Sequence, residues 1–285
     1  FVRALDAANL VPAPEGVTGN QQRLGQAQAV GDFNCDGFDD LAIGAPYGTF
    51  VPEVGLSISA VNSLFDGGVY VFYGSASGLR IPGVTAGVPA PVHQPVNQGD
   101  PLLITRPLRD PVANGKWNYL ALFGSTLAAG NINADLSGGN DCDDLVVSAL
   151  LGDASASATG NNGRTEVWVL FGSSTGPQVN YENQLSNNLD IDPCSGPACV
   201  PLVLYDGTVG TGNGFFGVSL AVGKLHDSPE AYGAPDSYLD IVVGSPAANR
   251  TCGKGAAYIY YGGPAGVRRA PYGPTIIEAP TQANA

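Results

Sequence analysis

The stretch that most constrains this chain is Asp32-Phe33-Asn34-Cys35-Asp36-Gly37-Phe38-Asp39-Asp40. It places oxygen-bearing side chains at positions 1, 3, 5 and 9 around a glycine at position 6. Hard cations take about 6–8 oxygens at ~2.3–2.6 Å, and alternating Asp and Asn around a tight turn bring such oxygens to one point. Asp32, Asn34, Asp36 and Asp40 are therefore expected to offer side-chain oxygens to Ca2+, with Phe38 supplying its backbone carbonyl. Position 12 is Ile43, where an EF-hand needs a bidentate Glu, and Leu41-Ala42-Ile43-Gly44-Ala45-Pro46 is a short apolar run stopped by Gly and Pro. Such a run reads as a buried strand, so the unit is strand, metal loop, strand.

The same arrangement occurs twice more. Phe123-Gly124 leads through Asn131, Asn133 and Asp135 to Asp144 and Leu145-Val146-Val147-Ser148-Ala149, and Phe216-Gly217 leads through Lys224 to Asp240 and Ile241-Val242-Val243-Gly244-Ser245-Pro246. From leading Gly to closing Gly or Ser the copies span 19, 24 and 27 residues, of which the loops take 8, 13 and 16. The remainder is 11 each time, so only the loops vary in length, as expected when strands pack and loops face solvent. A third strand follows in each copy, Gly68–Gly74, Glu166–Gly172 and Ala257–Gly262, and a weaker fourth at Pro101–Thr105, Pro201–Tyr205 and Pro274–Glu278. Four antiparallel strands repeated around an axis make a propeller blade. The expected fold is all-β, a β-propeller of four-stranded antiparallel blades with three countable repeats, at about residues 23–105, 122–205 and 215–280 of one domain spanning 1–285. Residues 1–22 hold no full unit and are expected to lend a strand to a neighbour.

The Leu24-Gly25 to Gly44-Ala45-Pro46 frame around an Asp-x-Asn-x-Asp-Gly-x-x-Asp loop resembles the FG-GAP repeat of the integrin α-subunit propeller and its bacterial relatives. That resemblance implies calcium in hairpin loops on one face and a role in adhesion, protein recognition or assembly; it implies no catalysis. Propellers of that family close with more blades than the three countable here, so completion by a larger chain or by other copies is expected.

The three loops differ as ligands. Neutral Asn131 and Asn133 lower the charge that the second loop offers beside Asp135 and Asp144, and affinity depends on charge. In the third, Lys224 and His226 replace the first two ligands although Asp236 and Asp240 keep their interval, so no calcium is expected there; the Lys224 ammonium is expected to stand near the ion's place and pair with Asp240.

Composition narrows the partners. There are 25 acidic and 12 basic residues, and a net charge of −13 repels nucleic acid and anionic membranes. No apolar run reaches the ~18 residues of a membrane span, the first residues do not read as a basic-then-apolar leader, and a start at Phe1 rather than Met suggests a processed chain or a piece of a longer one. The five cysteines are too scattered for a zinc site; Cys194 and Cys199, across a Gly-Pro turn, are expected to form a local disulfide, the pairing of Cys35, Cys142 and Cys252 staying open. Disulfide bonding would place the chain in an oxidising, secreted or cell-surface setting, whereas five idle thiols would not.

No catalytic residues are expected: His93 and His226 are the only histidines and no Gly-x-Ser-x-Gly elbow is present. Asp153-Ala154-Ser155-Ala156-Ser157 reads as a polar loop rather than an adhesion-type metal motif, and Asn249-Arg250-Thr251 is a glycosylation sequon. The partner expected is a protein or glycan at the cell surface, or another copy of the chain. Trp117 and Trp168 keep open a carbohydrate-binding or polysaccharide-acting propeller, and incomplete closure keeps open a subunit of a surface filament or layer.

Overall fold

A computed structural model describes residues 23–48, 65–80, 102–105, 120–150, 165–178, 202–204, 215–226, 237–246, 255–264, 266–267 and 274–278. These contain strands and turns and no helix. Residues 1–22, Trp117, Asp153–Ser157, Cys194, Cys199, Asp236 and Asn249–Thr251 lie outside the described residues.

The short β-branched and aromatic runs form strands close to where the sequence puts them. The first group is β1 (Gln28–Gly31), β2 (Asp40–Ala45), β3 (Phe65–Phe72) and β4 (Leu102–Thr105), each antiparallel to the next. The second comprises β5 (Leu120–Gly130), the hairpin of β6 (Leu136–Ser137) and β7 (Asn140–Asp141), then β8 (Asp144–Ala149), β9 (Glu166–Leu170) and β10 (Leu202–Leu204). β5, β8, β9 and β10 pair antiparallel in that order, while β6 and β7 pair only with each other, inside what the sequence offers as a plain long loop. The third group is β11 (Ser219–Gly223), β12 (Asp240–Ser245), β13 (Ala256–Tyr260), the small hairpin β14 (Gly262–Gly263) and β15 (Gly266–Val267), and β16 (Thr275–Glu278). Here β11, β12, β13 and β16 make a four-stranded antiparallel sheet. A parallel contact between the start of β3 and β5, pairing Phe65 with Leu120 and Gly67 with Phe123, joins the first two groups into one eight-stranded sheet. No sheet among the described residues closes on itself.

Alternation along the strands shows how the groups stack. Val69 and Val71 of β3 share a core with Phe123, Leu145, Val147, Trp168 and Leu170 of the second group, while Tyr70 and Phe72 turn the other way onto Ile43 and Leu103. Val146, Val167 and Val169 of the second group turn to Phe216, Ile241, Val243 and Tyr258 of the third. Each sheet face thus packs on its neighbour's in serial order, and burying each Val or Leu removes about 1.5–3 kcal/mol worth of apolar surface from water. Phe123 meets Trp168 edge to face at 5.9 Å, and Phe216 meets Tyr258 likewise at 5.3 Å. Trp168 is 2% exposed, with its Nε1–H on Glu166 Oε2 at 3.1 Å, so it is core and offers no face to a sugar.

The leading motif is one turn built three times. Gly25, Gly124 and Gly217 have φ of +92°, +88° and +87°, and two residues earlier Arg23, Leu122 and Phe215 have +51°, +47° and +54°. Glycine adopts such angles without penalty, which is why the Leu/Phe-Gly pair recurs. At Gly44 and Gly124 the reason is proximity: a Cβ on Gly44 would overlap the Gly124 carbonyl of the next repeat.

Candidate metal loops

In the first loop the carboxylate of Asp32 accepts the N–H of Asp36 at 3.0 Å and of Gly37 at 2.7 Å. Asn34 Oδ1 accepts the same Asp36 N–H at 3.1 Å, which draws the oxygens of positions 1 and 3 to one nitrogen. Asp36 takes the Phe38 N–H at 3.0 Å and the Asn34 amide at 3.0 Å, and its outer oxygen lies 3.6 Å from Arg80. Two left-handed residues make the curl, Cys35 at φ +59° and Gly37 at φ +87°. Phe38 is half-exposed at the tip.

Position 9 sits apart from this ring of acceptors. Asp40, 1% exposed, accepts Phe33 N–H at 3.0 Å and Asn34 N–H at 3.2 Å through Oδ2, and Gly74 N–H at 2.8 Å through Oδ1. It therefore clasps the loop to the end of the third strand. Asp144 does the same with Ile132 at 2.9 Å and Gly172 at 3.0 Å, and Asp240 with Leu225 at 2.9 Å, His226 at 3.0 Å and Gly262 at 3.0 Å. Burial pushes the Asp40 carboxyl up to about 7 against the pull of its Gly74 and Phe33 donors, and Asp144 up to about 8 for the same reason. The glycine that closes each third strand is required by this clasp, since a Cβ on Gly172 would come within 2.5 Å of the Asp143 carbonyl, and Cβ atoms on Gly74 and Gly262 would overlap those of Asp39 and Leu239.

The second loop repeats the first. Asp135 N–H is shared by Asn131 Oδ1 at 3.1 Å and Asn133 Oδ1 at 3.2 Å, Asn133 donates to Asp135 Oδ2 at 2.9 Å, and Ala134 takes the left-handed turn at φ +53°. Asp135 Oδ1 is buried without a hydrogen-bond partner, and burial raises its pKa above the usual carboxylate value. An orphaned carboxylate oxygen beside two amide oxygens is a donor set that suits a hard cation. Among the described residues no three His, Cys, Asp or Glu side chains converge, and Asp40 stands apart from Asp32 and Asp36 on its own backbone donors, so the donors gathered at each loop are mixed carboxylate and amide oxygens rather than a carboxylate cluster. In the third loop Lys224 is exposed, and Asp240 is engaged by the three backbone N–H groups given above.

The loops also touch one another. Asp143 N–H donates to the Asp32 carbonyl at 3.0 Å, and Leu239 N–H donates to the Asn131 carbonyl at 3.2 Å, the same bond one repeat on. Asp143 Oδ2 accepts the Asp32 N–H at 3.0 Å, Asn140 Nδ2 donates to Cys35 O at 3.1 Å, and Cys35 and Cys142 form a disulfide across 107 residues of sequence. The carboxyl of Asp143 is raised by burial, opposed by the Asp32 N–H and reinforced by nearby carboxylates of Asp32, Asp39 and Asp141. Asp143, Asn140, Arg80 and the Cys35–Cys142 pairing escape the ligand pattern. The available signal was that both cysteines lie inside the loops of successive repeats. A further turn also recurs: Ser75 Oγ donates to Gly78 O at 2.7 Å and Ser173 Oγ to Gly176 O at 2.7 Å, where Gly78 and Gly176 have φ of +99° and +98°.

Successive antiparallel units, each opened by a left-handed Leu/Phe-Gly turn and clasped by a buried Asp, define a β-repeat protein. Residues 24–72 match the FG-GAP repeat, so the chain carries that repeat in its first unit. The chain is also 45% identical over 56 residues to phosphatidylinositol-glycan-specific phospholipase D of Mus musculus, and 45% identical over 56 residues to that of Rattus norvegicus. Each alignment covers 20% of this chain, which spans 6% of the length of those relatives.

Proposed function

We propose that the chain is part of an extracellular β-propeller of four-stranded blades, stabilised by calcium in its first two loops and used for protein recognition or adhesion, without catalysis of its own. The observation that carries this reading is the recurrence of one inter-repeat bond, Asp143 to Asp32 and Leu239 to Asn131, at the loop end of the sheets. A repeated contact of that kind is what radial stacking of blades calls for, and it supports a reading in which the acidic loops lie side by side on one face.

Asp32, Asn34, Asp36, Asp40 and the Phe38 carbonyl would hold the first ion, and Asn131, Asn133, Asp135 and Asp144 the second; Asp135 Oδ1, buried and unpaired, supports the latter. Calcium, when bound, supplies positive charge that offsets crowding of these carboxylates, and its binding free energy adds to folding. The non-catalytic reading is supported by the engagement of Asp32, Asp40, Asp144 and Asp240 with backbone N–H groups of their own loops. The extracellular setting is supported by the Cys35–Cys142 disulfide. Ile276 and Ile277 on β16, 51% and 57% exposed, fit a propeller completed by further strands or another copy.

Metal analysis of the purified chain combined with thermal melting before and after chelation tests the proposal. About two equivalents of calcium and a melting temperature that falls on chelation are expected; no bound calcium and an unchanged melt would refute it.

A further inference from the structure

The two candidate calcium loops are joined more closely than stacked sheets require. Asp32, the first ligand of loop one, has its N–H on Asp143 Oδ2 at 3.0 Å and its carbonyl on Asp143 N–H at 3.0 Å, so one residue of repeat two grips both sides of it. Cys35 stands between Asn34 and Asp36, ligands of the same loop. Its sulfur partner Cys142 lies two residues before Asp144, the place that Phe38 has before Asp40, where the sequence pattern puts a carbonyl ligand. Cys142 N–H in turn donates to the Asp135 carbonyl at 3.2 Å, which also takes the Asn131 amide at 3.0 Å. The bridge therefore runs from among the ligands of one loop to the backbone that shapes the other, and both cysteines are buried.

We propose that the Cys35–Cys142 bridge, with Asp143, couples the two loops, so that the chain's calcium affinity depends on the oxidation state of the bridge. The inference rests on the calcium reading above. An external dithiol reduces the bridge by two electrons: the Sγ–Sγ bond breaks, each cysteine gains a proton as a thiol, and the dithiol closes to its cyclic disulfide. Without the bridge, the Asn34–Asp36 segment and the Cys142 backbone hold their positions by hydrogen bonds alone, and ordering them falls to the ion. Asp143 is a positioning residue, acting on the first ion through Asp32.

Linkage makes the coupling reciprocal: if reduction weakens calcium binding by a factor, calcium makes the bridge harder to reduce by the same factor. The test titrates calcium chloride into the metal-free full chain by calorimetry, oxidised and after equilibration with dithiothreitol, and measures the thiol–disulfide midpoint with and without calcium. Affinity about tenfold weaker in the reduced chain is expected, within the usual range of coupling, with the midpoint moved by ~30 mV to more reducing potential in saturating calcium. Reduction could also unfold the chain, so near-ultraviolet circular dichroism accompanies each titration. A second arm keeps the bridge intact: Asp143→Ala in an Asp135→Ala background, where only loop one loads, is expected to weaken that remaining calcium several-fold. Equal affinity in folded oxidised and reduced chains, or unchanged loop-one affinity in the Asp143→Ala arm, overturns the coupling alone. Absence of calcium binding in the oxidised chain overturns the calcium reading and the coupling together.

Discussion

Replacing Asp240 by Ala separates the clasp from the metal, because the third loop carries Lys224 where the others carry a ligand. The Asp240 carboxylate, 2% exposed, accepts three backbone N–H groups, of which the Gly262 bond is buried and the Leu225 and His226 bonds are partly so. A buried donor left without its acceptor costs about 1–3 kcal/mol, and a partly solvated one about 0.5–1 kcal/mol, so the variant should lose roughly 3 kcal/mol. For a domain of this size each kcal/mol moves the melting temperature by about 2–4 °C, giving a fall of roughly 6–12 °C. Asp240→Asn keeps one acceptor oxygen and should lose about half as much. Thermal melts followed by circular dichroism, run in excess calcium and in excess chelator, read the effect. The same fall is expected in both, since no ion is assigned to this loop. A loss within about 0.5 kcal/mol of zero, the scatter of surface substitutions, would refute the clasp as a stabilising device; a loss that disappears in chelator would show that Asp240 works through a metal.

Three further outcomes follow from the same geometry. Asp135→Ala should remove one equivalent of bound calcium and leave the first loop loaded, as read by metal analysis. In the metal-free chain, raised Asp40 and Asp144 carboxyls mean that the folded state holds protons the unfolded chain has released between their ordinary value of 3.8 and about 7 and 8 respectively. Stability should therefore fall as pH rises through that window and level off above it, while calcium affinity rises as the carboxyls ionise; melts and calcium titrations across pH check both. Gly172→Ala should destabilise by about 1–3 kcal/mol through overlap with the Asp143 carbonyl, measured by denaturant unfolding, because the obstacle is backbone and cannot swing aside.

Strand positions were legible because short apolar, β-branched runs and the Gly and Pro stops that bound them act locally, and β2, β4, β8 and β9 are buried along almost their whole length. Leu41–Pro46 is within one residue of β2 at either end, Gly68–Gly74 overlaps β3 but misses its first residues, and the fixed remainder of 11 residues reveals that strands, not loops, are repeated. The left-handed turns were legible as glycines but not as the non-glycine angles of Arg23, Leu122 and Phe215, which no residue preference marks. Asp40 was legible as an oxygen donor; its bond to Gly74 joins residues 34 apart and depends on where a distant strand ends. The partner of Cys35 was harder still. Its pairing stayed open in the sequence because Cys35 and Cys142 become adjacent only after one repeat has stacked on the next. The β6–β7 hairpin hid in Leu136–Asp141, whose polar, glycine-bearing residues carry no apolar alternation.

The Gly44–Gly124 seam sets the distance between the first two units by direct approach of main chain to main chain. Spacing fixed in this way is indifferent to the length of the loop between the first two strands of each unit, which differs by up to eight residues among the three copies. A graft of foreign sequence into the connecting segments should leave the pitch of the array intact, while a single methyl group at the seam should force the two units apart. The natural variability of such a molecule, and its usefulness as a scaffold, are thereby confined to its rim.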